Sequence, residues 1–220
     1  MTAQDILSHV DHTLLRADAT WPDIRRLCEE ALRYHTASVC IPSSFVRRAH
    51  EAFPALTICT VVGFPLGNAS LAAKKAETRQ ALADGAAEID MVIPIGALKN
   101  GETDAVTAEI RALKAIAGPH LLKVILETCY LTDDEKIAAC RCADEGGADF
   151  VKTSTGFGPA GAQLADIALF RAHLSPRVKI KAAGGIRTRD AMEAFLRAGC
   201  DRIGASAAVS LLAPEIDRYS

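Results

Sequence analysis

Residues 149–156 read DFVKTSTG. A short aromatic and β-branched run ends in Lys152, and small hydroxyl residues and Gly156 follow at once. That is the pattern of a buried strand running into a loop. A helical pattern covers 162–174. Residues 178–185, VKIKAAGG, then repeat the arrangement with Lys181 in the place of Lys152. Strand, helix, strand in this order is the unit of a parallel sheet with helices outside. Working outward, strand-like runs stand at 37–41 (ASVCI), 56–62 (LTICTVV), 88–93 (EIDMVI), 121–126 (LLKVIL) and 201–204 (DRIG). Helical patterns lie at 21–34, 70–84, 103–117, 132–145 and 188–198. Thr132 and Glu135 have the spacing of a capping box, Thr188 suits a cap, and Gly85, Gly146 and Gly199 sit where helices should stop. Seven strands are visible, and 10–14, VDHTL, supplies an eighth at the start. The expected fold is a (β/α)8 TIM barrel, one domain over 1–220. An open doubly wound sheet is the alternative, but no GxGxxG fingerprint opens any helix.

Composition narrows the function. Twenty-five Lys and Arg balance 27 Asp and Glu, for a net charge of −2 with both signs dispersed, so no polybasic nucleic-acid surface is expected. Half the residues are apolar, enough for a sizeable core. The seven cysteines are odd in number and lack the paired spacing of a zinc site, which predicts reduced thiols in a cytoplasmic protein. The N-terminus has no basic-then-apolar leader, and no apolar run approaches the ~20 residues of a membrane span.

In a closed barrel, chemistry belongs at the C-terminal ends of the strands. Asp11, Cys40, Asp90, Glu127, Lys152 and Lys181 should therefore face one mouth. A lysine in a strand covered on both faces is costly unless paired or neutral. The bland reading is an amine that snorkels or pairs with a carboxylate; two such lysines, each followed by a glycine-bearing loop, favour chemistry. A free lysine with a pKa of ~10.4 is neutral in only about one molecule in 2,500 at pH 7. A second cation ~4 Å away, at an effective dielectric of ~20, costs roughly 4 kcal/mol and lowers that pKa by about three. Roughly a quarter of the amine would then be neutral and able to form a Schiff base with an aldehyde. Which lysine is the nucleophile stays open at this level. Asp90, between Ile89 and Met91, is either a structural partner for a lysine or a general base. Glu88, at the edge of the same run, is expected to be solvated. Asp11, His12 and Thr13 form a polar cluster that could equally be a turn, Glu127 and Thr128 end the fifth strand, and Cys40 reads as a buried inert thiol. Gly184-Gly185 and Gly204-Ala205-Ser206 follow the last two strands, where barrels bind phosphate with backbone N–H groups and a helix N-terminus, and Gly156 could add a donor.

Taken together, 11–15 DHTLL, 39–41 VCI, 61–67 VVGFPLG, 77–98, 123–133 KVILETCYLTD, 150–157 FVKTSTGF, 181–187 KAAGGIR and 203–206 IGAS closely resemble the deoxyribose-phosphate aldolases, a class I aldolase family. The resemblance covers most of the chain. It implies a (β/α)8 barrel, often a homodimer, with no metal and no cofactor. It also implies reversible cleavage of a small phosphosugar, 2-deoxy-D-ribose 5-phosphate, to D-glyceraldehyde 3-phosphate and acetaldehyde. It assigns the Schiff base to Lys152, the second lysine that lowers its pKa to Lys181, the acid/base carboxylate to Asp90 and an orienting carboxylate to Asp11. Gly156, Gly184, Gly185 and Ser206 match the phosphate-binding positions. Three features depart from the family pattern: Pro94 stands where asparagine is usual, Asn68 follows FPLG, and Tyr219 is penultimate and is not counted as catalytic. Competing readings are a barrel aldolase with other aldehyde partners and a phosphosugar-binding barrel without chemistry.

Overall fold

A computed structural model describes residues 1–218 of the chain. Eight parallel strands close in chain order: β1 (Val10–Thr13), β2 (Ser38–Ile41), β3 (Ile58–Val62), β4 (Glu88–Val92), β5 (Leu121–Ile125), β6 (Phe150–Lys152), β7 (Lys179–Ala183) and β8 (Arg202–Ala205). Around them lie α1 (Ala3–Leu7), α2 (Trp21–Arg33), α3 (Val46–Ala52), α4 (Leu71–Ala83), α5 (Ile95–Lys99), α6 (Thr103–Ala117), α7 (Asp133–Glu145), α8 (Leu164–His173), α9 (Arg189–Arg197) and α10 (Ala208–Ile216). This is the expected (β/α)8 barrel. No described helix is long and apolar enough to cross a membrane.

The register decides which side chains share the barrel interior. Cys40 pairs with Cys59, Asp90 with Lys123, Ile125 with Lys152, Lys152 with Lys181, Lys181 with Arg202 and Gly204 with Asp11. Residues paired in register point to the same face, and successive residues alternate faces. One face of the closed sheet therefore carries Asp11, Glu88, Asp90, Lys123, Lys152, Lys181 and Arg202. The other face carries Ile89, Met91, Val124, Val151, Ile180, Ala182 and Ile203, all buried in the apolar layer under the helices.

Local chemistry sets the helix ends. Thr132 and Glu135 close a capping box on α7: Thr132 Oγ1 accepts from the Glu135 N–H at 3.3 Å, and the Glu135 carboxylate accepts from the Thr132 N–H at 2.8 Å. Thr188 caps α9 through the Ala191 N–H. Gly85 and Gly199 take left-handed φ just past α4 and α9. After α7 the stop lies one residue later than expected, because Gly146 stays helical and Gly147 takes the positive φ. Pro94, the departure after Asp90, caps α5 at a position where the helix needs no N–H from it. The loop after β3 is held from beneath by the buried Lys74, which donates to the Gly67 and Val92 carbonyls and to Glu109. Asn68 in that loop is exposed.

Candidate active site

Seven charged side chains from six strands meet inside the barrel. Asp90 lies at the centre with both carboxylate oxygens engaged. Lys123 donates to Oδ1 at 2.9 Å, and Lys152 and Lys181 both donate to Oδ2 at 2.8 Å. The two amines that share Oδ2 are therefore no farther apart than twice that distance. Lys181 also meets Asp11 Oδ2 at 2.5 Å, and Arg202 holds Asp11 Oδ1 at 2.5 Å. Lys123 further contacts Glu88 at 2.6 Å and Asp11 at 3.6 Å. Asp11, Asp90, Lys123 and Lys181 have no solvent exposure, and Lys152 has only 2%.

Burial would by itself suppress the charges of Asp11, Asp90, Lys123 and Lys181; their mutual pairing prevails. It would push the Asp90 carboxyl up, but Lys123, Lys152 and Lys181 hold it well below the usual carboxylate range. Asp11 is likewise held down, against burial, by Lys181, Lys123 and Arg202. In the opposite sense, burial would lower Lys181 and Lys123. Asp11 and Asp90 raise Lys181 above the ordinary lysine value, and Asp90 leads the groups that raise Lys123. Lys181 is thus a persistent ammonium beside Lys152. Cys59 lies against the same oxygen of Asp90 as Lys123, at 3.1 Å. Its hydrogen bond with Cys40 lowers the Cys40 thiol, whereas burial drives the Cys59 thiol well up. Ligand atoms of Cys40, Cys59 and Asp90, and of Asp11, Cys59 and Glu88, lie within 4.8 Å of one another. The three carboxylates already face lysine or arginine cations, which a metal ion would have to displace.

A cleft of about 280 Å3 opens from Lys152 to the protein surface. Its far wall is the backbone expected to bind phosphate: Gly156, Gly184, Gly185 and Ser206 all line it. Gly184 and Gly185 both have positive φ, 87° and 76°, a conformation that only glycine adopts without strain. Gly161 packs so closely on this turn that a Cβ there would lie 2.1 Å from the Gly184 carbonyl oxygen. Helix α10 begins two residues after Ser206, so its N-terminal end adjoins the cleft. Arg16 and Arg187 also line it. Next to Gly156 on the cleft wall, the exposed Phe157 meets Phe64 edge to face, with ring centroids 5.3 Å apart.

Asp11, Asp90, Lys152 and Lys181 are thus brought together, and the four cradle residues line the cleft that reaches them. Other expectations need correction. Glu88 is not solvated: it is 3% exposed and shared by Lys123 and Arg202, because period-2 alternation puts it on the same inner face as Asp90. His12 does not join Asp11, whereas Thr13 stays on the Asp11 face, donates to the Asp11 carbonyl oxygen at 2.7 Å and lines the cleft. His12 points the other way and meets Glu30 of α2 at 2.7 Å. Glu127 reaches the mouth but contacts Thr155, taking its N–H and its hydroxyl, and so fixes the loop that carries Gly156. Cys40 is buried, as expected. Tyr219 lies outside the described residues. Lys123, Arg202, Cys59, Arg16 and Arg187 had drawn no role from sequence. Charged residues at alternate positions of apolar strands were the signal for the first two.

Comparison with known proteins gives one answer. The family model of the DeoC/LacD family aldolases matches residues 6–213. A deoxyribose-phosphate aldolase of Clostridium botulinum (strain Alaska E43 / Type E3) is 57% identical over 216 residues, covering 98% of each chain. One from Brevibacillus brevis is 48% identical over 206 residues, covering 93% of each. Among solved structures, a tetrameric deoxyribose phosphate aldolase from Aeropyrum pernix superimposes with a TM-score of 0.90 at 30% identity, covering 99% of this chain and 93% of its own. A match of this extent, over a closed barrel with lysines at its mouth, shows that the chain belongs to the DeoC/LacD family of aldolases and is an enzyme.

Proposed function

We propose that this aldolase reversibly cleaves 2-deoxy-D-ribose 5-phosphate to D-glyceraldehyde 3-phosphate and acetaldehyde through a Schiff base on Lys152. The observation that carries the reading is that one cleft joins the Lys152 amine to a glycine-lined anion cradle. A phosphate in the cradle, held by the N–H groups around Gly156, Gly184, Gly185 and Ser206 and by Arg187, leaves the other end of a short sugar directed at Lys152. The Lys152 nitrogen attacks the C1 aldehyde of the open-chain sugar, and water leaves to give an iminium ion. The C3 hydroxyl then gives up its proton to the Asp90–Lys181 pair, through a water. The C2–C3 electron pair moves into the iminium as the bond breaks. Glyceraldehyde 3-phosphate departs. The enamine on Lys152 takes a proton at carbon, and water releases acetaldehyde. Asp90 is suited to this relay because its Oδ2 touches both Lys152 and Lys181. Asp11 orients Lys181 from behind. No step calls for a metal or an organic cofactor. A homodimer in the cytoplasm completes the reading.

The test is turnover of 2-deoxy-D-ribose 5-phosphate, coupled to detection of glyceraldehyde 3-phosphate and compared with the unphosphorylated sugar. We expect robust cleavage of the phosphate ester and at least about 100-fold lower kcat/KM for free deoxyribose, as expected for loss of remote binding energy. Binding of the phosphosugar without turnover would reject the assignment.

A further inference from the structure

The interior charges form a closed ring. From Asp90 it passes to Lys123 (2.9 Å), then to Glu88 (2.6 Å), Arg202 (3.2 Å), Asp11 (2.5 Å), Lys181 (2.5 Å) and back to Asp90 (2.8 Å). The signs alternate all the way round. Along the ring each carboxylate meets two cations through different oxygens and each cation meets two carboxylates; one longer contact, Lys123 to Asp11 at 3.6 Å, crosses it. Three anions and three cations cancel. Lys152 stands outside the ring and meets it only at Asp90 Oδ2.

We infer that the closed ring selects Lys152 as the reacting amine, and that Lys123, Glu88 and Arg202, on the side of the ring remote from the substrate cleft, are positioning residues for it. A proton removed from a ring lysine leaves carboxylates uncompensated in a site without water exposure. A proton removed from Lys152 leaves the ring balanced. A proton on Lys152 is therefore the one interior charge that has no carboxylate of its own. The inference rests on the reading of Lys152 as the Schiff-base lysine. It goes further in giving a function to three residues that line no part of the cleft described above. The groups that face Lys152 are Asp90 from β4, Lys181 from β7, Lys123 from β5 beyond Asp90, and the Cys40 thiol from β2. Cys59 from β3 lies behind Asp90, and Arg16 and Arg187 stand on the wall of the cleft. Of these, Lys123 can be changed without touching the Lys152 side chain or the cradle, and so can Glu88 and Arg202.

The test is reductive trapping of the full-length protein with acetaldehyde and cyanoborohydride across a pH series. The Lys152 nitrogen bonds to the aldehyde carbon, water leaves, and hydride from the reagent reduces the iminium to a stable amine that intact mass detects. Glu88→Gln removes an anion and makes the ring net positive. The pH at half-maximal trapping rate should fall by about one unit. Lys123→Met removes a cation, so a proton on Lys152 then restores balance. The same midpoint should rise by about one unit. The double variant removes one charge of each sign and should return close to the wild-type midpoint. If Lys123→Met does not fold, Arg202→Gln, whose side chain is 18% exposed, must shift the midpoint upward, and Arg202→Lys must leave it in place. Opposite shifts with recovery in the double variant support the inference, since loss of packing alone would not reverse sign. Shifts of one sign, or an unmoved midpoint in variants that still trap, overturn it while leaving the Schiff base intact. A wild-type protein that traps nothing at any pH removes the Schiff base and this inference with it.

Discussion

The two faces of the barrel sheet are built from alternate residues of the same strands, yet they obey opposite rules. On β4, Ile89 and Met91 enter the apolar layer beneath the helices, whereas Glu88 and Asp90 enter the interior. On β7, Ile180 and Ala182 go outward and Lys181 inward. The outer layer is close-packed hydrocarbon, where each fully buried aliphatic side chain contributes about 1.5–3 kcal/mol. The interior holds seven charges whose desolvation offsets most of what their pairing returns. The outer face therefore supplies the stability that lets the inner face keep charges close together for chemistry.

Substitutions can break this division from either side. The largest effect should follow Asp90→Asn. It removes the carboxylate that three lysines share, and kcat should fall by roughly 10²–10⁴-fold in the coupled assay. The circular dichroism spectrum should stay native, because the apolar face is untouched. An activity loss below tenfold would show that Asp90 is only a spacer. Next comes Ile180→Ala, one residue from Lys181 but on the other face. It should destabilise the fold by about 2–5 kcal/mol in a denaturant melt. The folded enzyme should keep its kcat and pH profile, and a shifted profile would mean that the two faces are coupled. The smallest effect is that of pH on stability. Asp11 and Asp90 are held low in the fold, so their contribution is complete above the ordinary carboxylate value of ~3.9 and is lost as the pH falls through their depressed values. Lys123 and Lys181 are held high, so their contribution is complete below ~10.4 and is lost as the pH rises through their elevated values. The melting temperature should therefore change little between about pH 5 and pH 9 and fall beyond either limit. A steep change inside that window would show that a ring member titrates there.

The same contrast explains what the sequence disclosed. The outer face was legible because its apolar residues recur between helical patterns, and the eight strands follow from that alternation. Lys152 and Lys181 were legible because each ends a strand just before a glycine-bearing loop. Lys123 was not, because LLKVIL reads as one apolar run until the register of β5 against β4 sets it beside Asp90. Glu88 was misread because solvation of a residue at the edge of a run is the commoner outcome. Only closure of the barrel brings Glu88 within reach of Arg202. Four short helices, α1, α3, α5 and α10, also escaped sequence reading. The first announces itself only through a Thr2–Asp5 capping box, and α10 contains Pro214.

The central claim is that one amine of the three lysines on Asp90 does the chemistry. Borohydride reduction in the presence of 2-deoxy-D-ribose 5-phosphate, followed by peptide mass mapping, tests it most directly. The account predicts a single reduced adduct on Lys152 and none on Lys123 or Lys181. An adduct on Lys181 would contradict it by exchanging the two roles, and a protein that turns over substrate yet yields no adduct would contradict the Schiff base itself.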